Sequence, residues 1–202
     1  MKNTLLAFVG FAIVFFTACE KEDDLELQPH DSNRMMQLMH QMMDSMSAMT
    51  PANDPEIDFS RMMIMHHKGA INMANLQLQE GSNDSLKRTA QKIIAEQQKE
   101  IQEFNDILAG ISPDNSVPAF SMEQMEHMMK MDAISDVQLL TGDIDNDFAT
   151  LMIQHHNAAI ENAEAYLRYG NHMELRALAL EIIDAQQKEI QELSNWLKAN
   201  RR

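Results

Sequence analysis

Cysteine, glycine and proline are all scarce in this chain of 202 residues. Cys19 is the only cysteine, and there are six glycines and five prolines. A single cysteine cannot form an intramolecular disulfide. Few glycines and prolines leave long windows uninterrupted, and β-branched residues are sparse while Ala, Leu, Met, Glu, Gln and Lys dominate. Because those residue types favour helix, the composition predicts an all-α fold.

Basic side chains are also few, with 16 Lys and Arg against 31 Asp and Glu and a formal net charge of −15. This charge argues against nucleic acid or an anionic membrane surface as a partner, and it attracts cations only weakly and without selectivity. Aromatic residues make up 5% of the chain, whereas there are 19 methionines. The excess of thioether side chains is the anomaly of the composition.

Long apolar runs are missing as well. The longest, Leu5 to Phe16, is too short to span a membrane, and it lies between Lys2 and small residues that precede Cys19. This order predicts a signal peptide over residues 1–18 and a lipidated Cys19, followed by a flexible tether to residue 34. A plain signal peptide with an incidental cysteine is the alternative. We therefore expect a lipid-anchored protein of a Gram-negative cell envelope, periplasmic or surface-exposed, which touches the membrane through its anchor only.

A doubled histidine motif is the strongest positive signal. It reads Met-Ile-Met-His-His over residues 63–67 and Met-Ile-Gln-His-His over residues 152–156. On a helix, Met63 lies one turn before His66 and His67, so the three side chains can converge. Imidazole and thioether groups suit soft or borderline metals, and thioethers select Cu(I) in particular. The motif therefore predicts a copper site.

The similarity between the two halves extends well beyond the histidines. At an offset of 89 residues, the separation of His66 and His155, Asp58-Phe59 matches Asp147-Phe148 and residues 97–103 match residues 186–192. A unit of this kind is a helix hairpin, and two hairpins packed together bury the apolar faces that one exposes. The pattern predicts a four-helix bundle within a single domain over 35–202, with repeats over about 35–110 and 121–200.

This doubled pattern resembles the DUF305 family. Both repeats carry Asp-Phe, then Met-Ile-x-His-His and Ala-Ile, and a second helix with Gln and Glu-Ile, from Asp58 to Leu108 and from Asp147 to Leu197. The resemblance implies a ferritin-like bundle, and some members of the family are linked to periplasmic copper binding and copper tolerance.

Two methionine-rich segments precede the two repeats, and we expect them to form additional helices. Asp31 or Ser32 can cap the first and Ser121 the second. Their thioethers are either core filler or a shallow array that captures Cu(I). The secondary candidate ligands here are Met36, Met39, His40, Met43, Met125 and His127.

The primary candidate metal ligands belong to the two histidine helices. They are Met62, Met63, His66, His67, Met73, Met152, His155 and His156. The second site should be poorer in sulfur, because Asn162 stands where the first copy has Met73.

A structural role for the histidines is the alternative. Buried imidazoles bonded to polar residues of the second helix of each hairpin need no metal. We expect those polar residues to orient the imidazoles or to bond at helix ends instead, and Asp58 and Asp147 to cap their helices. The polar residues are Gln97, Glu100, Gln186 and Glu189.

No enzyme signature accompanies these motifs. Ser-His-Asp, HExxH, a phosphate-binding Gly-rich loop and a free nucleophilic cysteine are missing from the sequence. A di-iron site needs Glu-x-x-His, but Met63 and Met152 stand where the glutamates would be. The sequence favours extracytoplasmic copper binding or chaperoning, with Cu(I) preferred and Cu(II) possible. The alternatives are a methionine-rich bundle that binds a protein partner or self-associates as a homo-oligomer, and a di-metal oxidase.

Overall fold

The computed structural model describes residues 27–200. This part of the chain contains six α-helices joined by loops and no strand. A 3-10 turn, His30–Ser32, precedes the first helix. The helices are α1 Arg34–Ser47, α2 Pro55–Glu80, α3 Asp84–Leu108, α4 Pro118–Ser135, α5 Ile144–Tyr169 and α6 Met173–Ala199. The all-α prediction is confirmed. The predicted signal peptide and lipidated Cys19 lie outside the described residues.

Side-chain caps fix where most helices begin. Asp54 and Asp143 accept hydrogen bonds from backbone N–H groups at the starts of α2 and α5, and Asn83 does the same for α3. For α1 the cap is Asn33, so the prediction of Asp31 or Ser32 is wrong. Ser121 is no cap either, because Pro118 starts α4 one turn earlier than we predicted.

Asp58 and Asp147 lie inside the first turn of their helices and do not cap them, which corrects the prediction. Each is fully buried. Asp58 accepts from two backbone N–H groups of the preceding loop and from the Ser121 hydroxyl at 2.6 Å. Asp147 accepts from two loop N–H groups and from the Asn33 amide at 2.6 Å. These carboxylates tie the ends of α1 and α4 to the histidine helices.

The two histidine helices form the centre of the bundle. Helix α2 packs against α3 and α5 against α6, while α2 and α5 contact each other. Helices α1 and α4 cover α2 and α5 respectively. The aromatic core lies between these layers, where Phe59 stacks on Tyr166 at 4.4 Å between ring centroids and meets Phe104 edge-on. Long amphipathic helices thus bury their apolar stripes against one another.

Helix α1 contributes to the core almost entirely through methionine. Six of its methionines are at most 7% exposed. Full burial of a methionine side chain contributes roughly 1.5–3 kcal/mol, so this layer is part of the folded core. The buried set is Met35, Met36, Met39, Met42, Met43 and Met46.

The segment before α1 is held against the bundle from Gln28 onwards, ahead of the predicted end of the tether. Gln28 N–H donates to the Leu140 carbonyl at 2.7 Å, and His30 Nε2 lies 2.9 Å from the Gln138 carbonyl. Across residues 27–200, no helix is both long and apolar enough to cross a membrane.

Candidate metal centre

Four histidines occupy the middle of the bundle. His66 and His67 lie on α2, His155 and His156 lie on α5, and all four are 0% exposed. Each pair sits near the midpoint of a 26-residue helix, and the two helices pack against each other. The doubled motif therefore places all its imidazoles in the interior.

The first histidine of each pair meets its counterpart across the interface between the two halves. The ring centroids of His66 and His155 are 3.6 Å apart, and His155 Nε2 lies 3.1 Å from the His66 carbonyl oxygen. The second histidines stand further out, with His67 at 6.4 Å from His66 and His156 at 6.0 Å from His155. The two motifs thus form one shared cluster.

Most nitrogens of this cluster lack a hydrogen-bond partner. The unpartnered atoms include both ring nitrogens of His66 and the Nδ1 atoms of His67, His155 and His156. A buried polar atom without a partner costs roughly 1–3 kcal/mol. Histidines kept only for structure would have these atoms bonded. Each neutral ring carries one lone pair beside its N–H group, so these unpartnered nitrogens argue for a ligand.

Glutamates from the neighbouring helices stand behind the outer histidines. His67 Nε2 lies 2.7 Å from Glu100 Oε2, and His156 Nε2 lies 2.8 Å from Glu189 Oε2. Both nitrogens remain without an aligned hydrogen bond, so these are close contacts between an imidazole and a carboxyl group, at the positions where we predicted orienting residues.

Gln97 and Gln186 do not play the orienting role that we expected. Both are buried at 2% exposure, yet their amide oxygen and nitrogen atoms have no hydrogen-bond partner.

Burial controls the protonation of the central pair. It lowers the pKa of His66 and of His155 well below 6.5, and repulsion from the neighbouring imidazoles lowers both further. Neutral imidazole is the form that binds metals. At neutral pH the two central rings are ready to donate a lone pair.

Glu96 contacts Glu189 and so adds a second carboxyl group to the contact behind His156. Burial and a hydrogen bond to Glu189 raise the pKa of Glu96 to about 7. Burial is the largest single influence on Glu189 and acts to raise its pKa, but His156, Glu96 and Lys92 together outweigh it and the pKa is lowered. Lys92 Nζ lies 3.7 Å from Glu189. Sequence reasoning missed Glu96, because its partner lies on another helix.

The predicted thioethers lie on the same helices, all in the interior. Met63, Met73 and Met152 are 0% exposed and Met62 is 2% exposed. Asn162, which replaces the second copy of Met73, donates to the carbonyl of its own helix at Ala158.

The secondary candidates do not share one environment. His40 Nε2 is bound to Asp136 at 2.9 Å, and His127 lies 3.8 Å from Glu123. Met36, Met39 and Met43 are buried in α1, and Met125 is partly buried on α4. In the described part of the chain, no group of three or more His, Cys, Asp or Glu side chains is arranged to hold a metal ion.

Comparison with known proteins identifies the family. The model of a domain of unknown function, DUF305, matches residues 17–108 and 56–197. The chain belongs to the DUF305 family. No curated protein matches.

Solved structures of a protein called CopM share the fold. CopM in the Ag-bound form, obtained by co-crystallization, is 28% identical with a TM-score of 0.56, and the match covers 73% of this chain and 98% of CopM. CopM in the Cu(II)-bound form is 28% identical with a TM-score of 0.55 over 72% and 97%. CopM in the Cu(I)-bound form matches at 24% identity and a TM-score of 0.55 over 74% and 99%, a likeness of fold alone.

Proposed function

We propose that this DUF305 protein binds copper outside the cytoplasm, as a chaperone or buffer that prefers Cu(I). The observation that supports it most is the buried His66–His155 pair, 3.6 Å apart between centroids, with both nitrogens of His66 unpartnered. The solved CopM structures that share 28% identity contain silver and Cu(II), which supports a metal-related role.

The donor set fits a soft monovalent ion. His66 and His155 would supply neutral imidazole nitrogen, and Met63 and Met152 stand one helical turn before them with thioether sulfur. Thioether ligands favour Cu(I) over hard cations. Glu100 and Glu189 would hold the outer histidines and offset the charge of the ion. Copper is the cargo here, and we expect no catalysis.

The two halves would share one central ion. His66 and His155, with ring centroids 3.6 Å apart, are near enough to coordinate the same ion. The ion would therefore join α2 to α5, and binding would stabilise the packing of the two hairpins.

Anaerobic titration with Cu(I) against a chromophoric chelator tests this site. His66→Gln with His155→Gln should weaken Cu(I) binding at least 100-fold, whereas His40→Gln with His127→Gln, outside the cluster, should leave the tightest site unchanged. Equal affinity in the central double variant would show that copper binds elsewhere. An oligomeric state that does not change when metal or chelator is added would favour the partner-binding alternative.

The cellular location is a separate part of the proposal. The segment before Cys19 supports export and lipid attachment in a Gram-negative envelope. Labelling with a radioactive fatty acid should mark the wild-type protein but not Cys19→Ala, and the variant should leave the membrane fraction. A labelled variant would contradict lipidation at this residue.

A further inference from the structure

Five methionines surround a small void away from the four histidines. The void has a volume of about 10 Å³, roughly one water-sized sphere, and lies between the end of α1, the start of α2 and the first half of α4. The methionines that line it are Met46, Met49, Met62, Met125 and Met128. Asp58, Ser121 and Gln124 complete most of the wall.

The sulfur donors run from the surface to the interior. Met49 and Met125 are partly buried, whereas Met46, Met62 and Met128 are at most 2% exposed. Further out on α4, Met122 and Met129 are more than 60% exposed. An ion can therefore reach the void along side chains of one donor type.

The equivalent place in the other half shows that the fold does not require these methionines. At the 89-residue offset, Met46, Met49 and Met62 correspond to a serine, a glutamine and a leucine. These three residues are Ser135, Gln138 and Leu151. Ser135 and Leu151 are fully buried, and the methionines in their places, Met46 and Met62, are almost fully buried. The other two lining methionines, Met125 and Met128, correspond to methionines again, Met36 and Met39. Apolar packing alone therefore does not explain five sulfurs around one void.

The charge beside the void suits a cation. Asp58 is 0% exposed and is bonded to two backbone N–H groups and one hydroxyl, all uncharged donors. Within residues 27–200, Asp58 has no ion pair with a basic side chain. A monovalent cation a few ångströms away would be stabilised by this charge.

We propose that this void is a second, sulfur-only site for a soft monovalent cation, Cu(I) or Ag(I), separate from the histidine cluster. The thioethers supply the selectivity, because Mg²⁺ and Ca²⁺ prefer oxygen ligands and Zn²⁺ binds sulfur mainly as the charged thiolate of cysteine. Met62 lines the void and stands one turn before His66 on α2, so the inner wall of the site adjoins a central histidine along the helix. It receives the ion from the surface and passes it inward.

Silver titration followed by native mass spectrometry tests the site, since Ag(I) is soft, monovalent and stable in air. The pocket variant carries Met46→Leu, Met62→Leu and Met128→Leu, which keep apolar volume and remove sulfur. It should bind one silver ion fewer than the wild type. The control carries Met35→Leu, Met42→Leu and Met131→Leu, three equally buried methionines outside the void. It should bind the wild-type number.

Methyl NMR of ¹³C-methionine locates the ion independently of stability. Silver should shift the methyl signals of the five lining methionines, and these shifts should persist in His66→Gln/His155→Gln. An unchanged silver count in the pocket variant, equal loss in the control, or unshifted pocket methyls would overturn the second site. Unchanged silver binding in the histidine variant would instead overturn the central site and leave this one standing.

Discussion

Lowering the pH from 7.5 to 5.5 should reduce the free energy of unfolding of the metal-free protein by up to about 2.7 kcal/mol through His66 and His155. In the folded state burial lowers the pKa of both imidazoles well below 6.5, so they stay neutral. In the unfolded chain they titrate with the ordinary pKa of 6.5. The unfolded state therefore binds more protons, and stability that is present above pH 6.5 is lost as the pH falls towards the native pKa values.

The magnitude follows from proton binding to the unfolded chain. At pH 5.5 an unfolded histidine is protonated about ten times more often than it is neutral, which favours unfolding by about 1.4 kcal/mol per residue. At pH 7.5 the same term is below about 0.1 kcal/mol. The two central histidines together give the predicted loss.

Urea denaturation followed by circular dichroism, at several pH values and with chelator present, measures this loss. His66→Gln or His155→Gln alone should reduce the pH-dependent loss by about 1.4 kcal/mol, and the double variant by about twice that. The quantity to compare is the change in the free energy of unfolding with pH, because a cost of substitution that is the same at every pH cancels from it. If wild type and double variant respond to pH alike, the imidazoles are not held neutral in the fold.

Three further substitutions probe the surroundings of the cluster. Gly69→Ala should destabilise the protein by about 1–2 kcal/mol, because the added Cβ would overlap the Sδ of Met42 and lie 2.9 Å from its Cγ. Glu189→Gln should weaken Cu(I) binding about 10- to 100-fold, since it removes the carboxylate 2.8 Å from His156. Asp147→Ala should cost about 3 kcal/mol, because it leaves two loop N–H groups and a buried amide without their acceptor.

Each of these predictions has its own control. In a Met42→Ala background, Gly69→Ala should stabilise by up to about 1 kcal/mol, as expected for alanine in a helix; destabilisation there would refute the steric explanation. Glu192→Gln, an exposed glutamate one turn from Glu189, should leave copper affinity unchanged. Asp184→Ala, on the surface of α6, should change the free energy of unfolding by less than about 0.5 kcal/mol. A similar cost for Asp184→Ala and Asp147→Ala would contradict the proposed role of the buried hydrogen bonds to Asp147.

The helices themselves were predictable because the signals are local. Asp54 followed by Pro55, and the apolar stripes at helical spacing, are local signals for the start and extent of α2, Pro55–Glu80. The caps of α1 and α4 were not predictable, because several nearby residues could act as the cap. Asn33 caps α1 and also donates to Asp147, 114 residues away, a contact that the local sequence does not show. The hydroxyl of Ser121 donates to Asp58, 63 residues away, and does not cap α4.

By itself the sequence determined which groups could bind a metal: histidine pairs one turn after a methionine, in two copies, with no glutamate at the iron-binding position. Helical periodicity fixes which side chains share a face, and that is enough to name ligands. Only the tertiary structure decided that His66 and His155 meet in one place, that Glu96 touches Glu189, and that methionines from three helices close around one void. Such distances depend on how the helices pack, and packing depends on contacts between residues far apart in the chain.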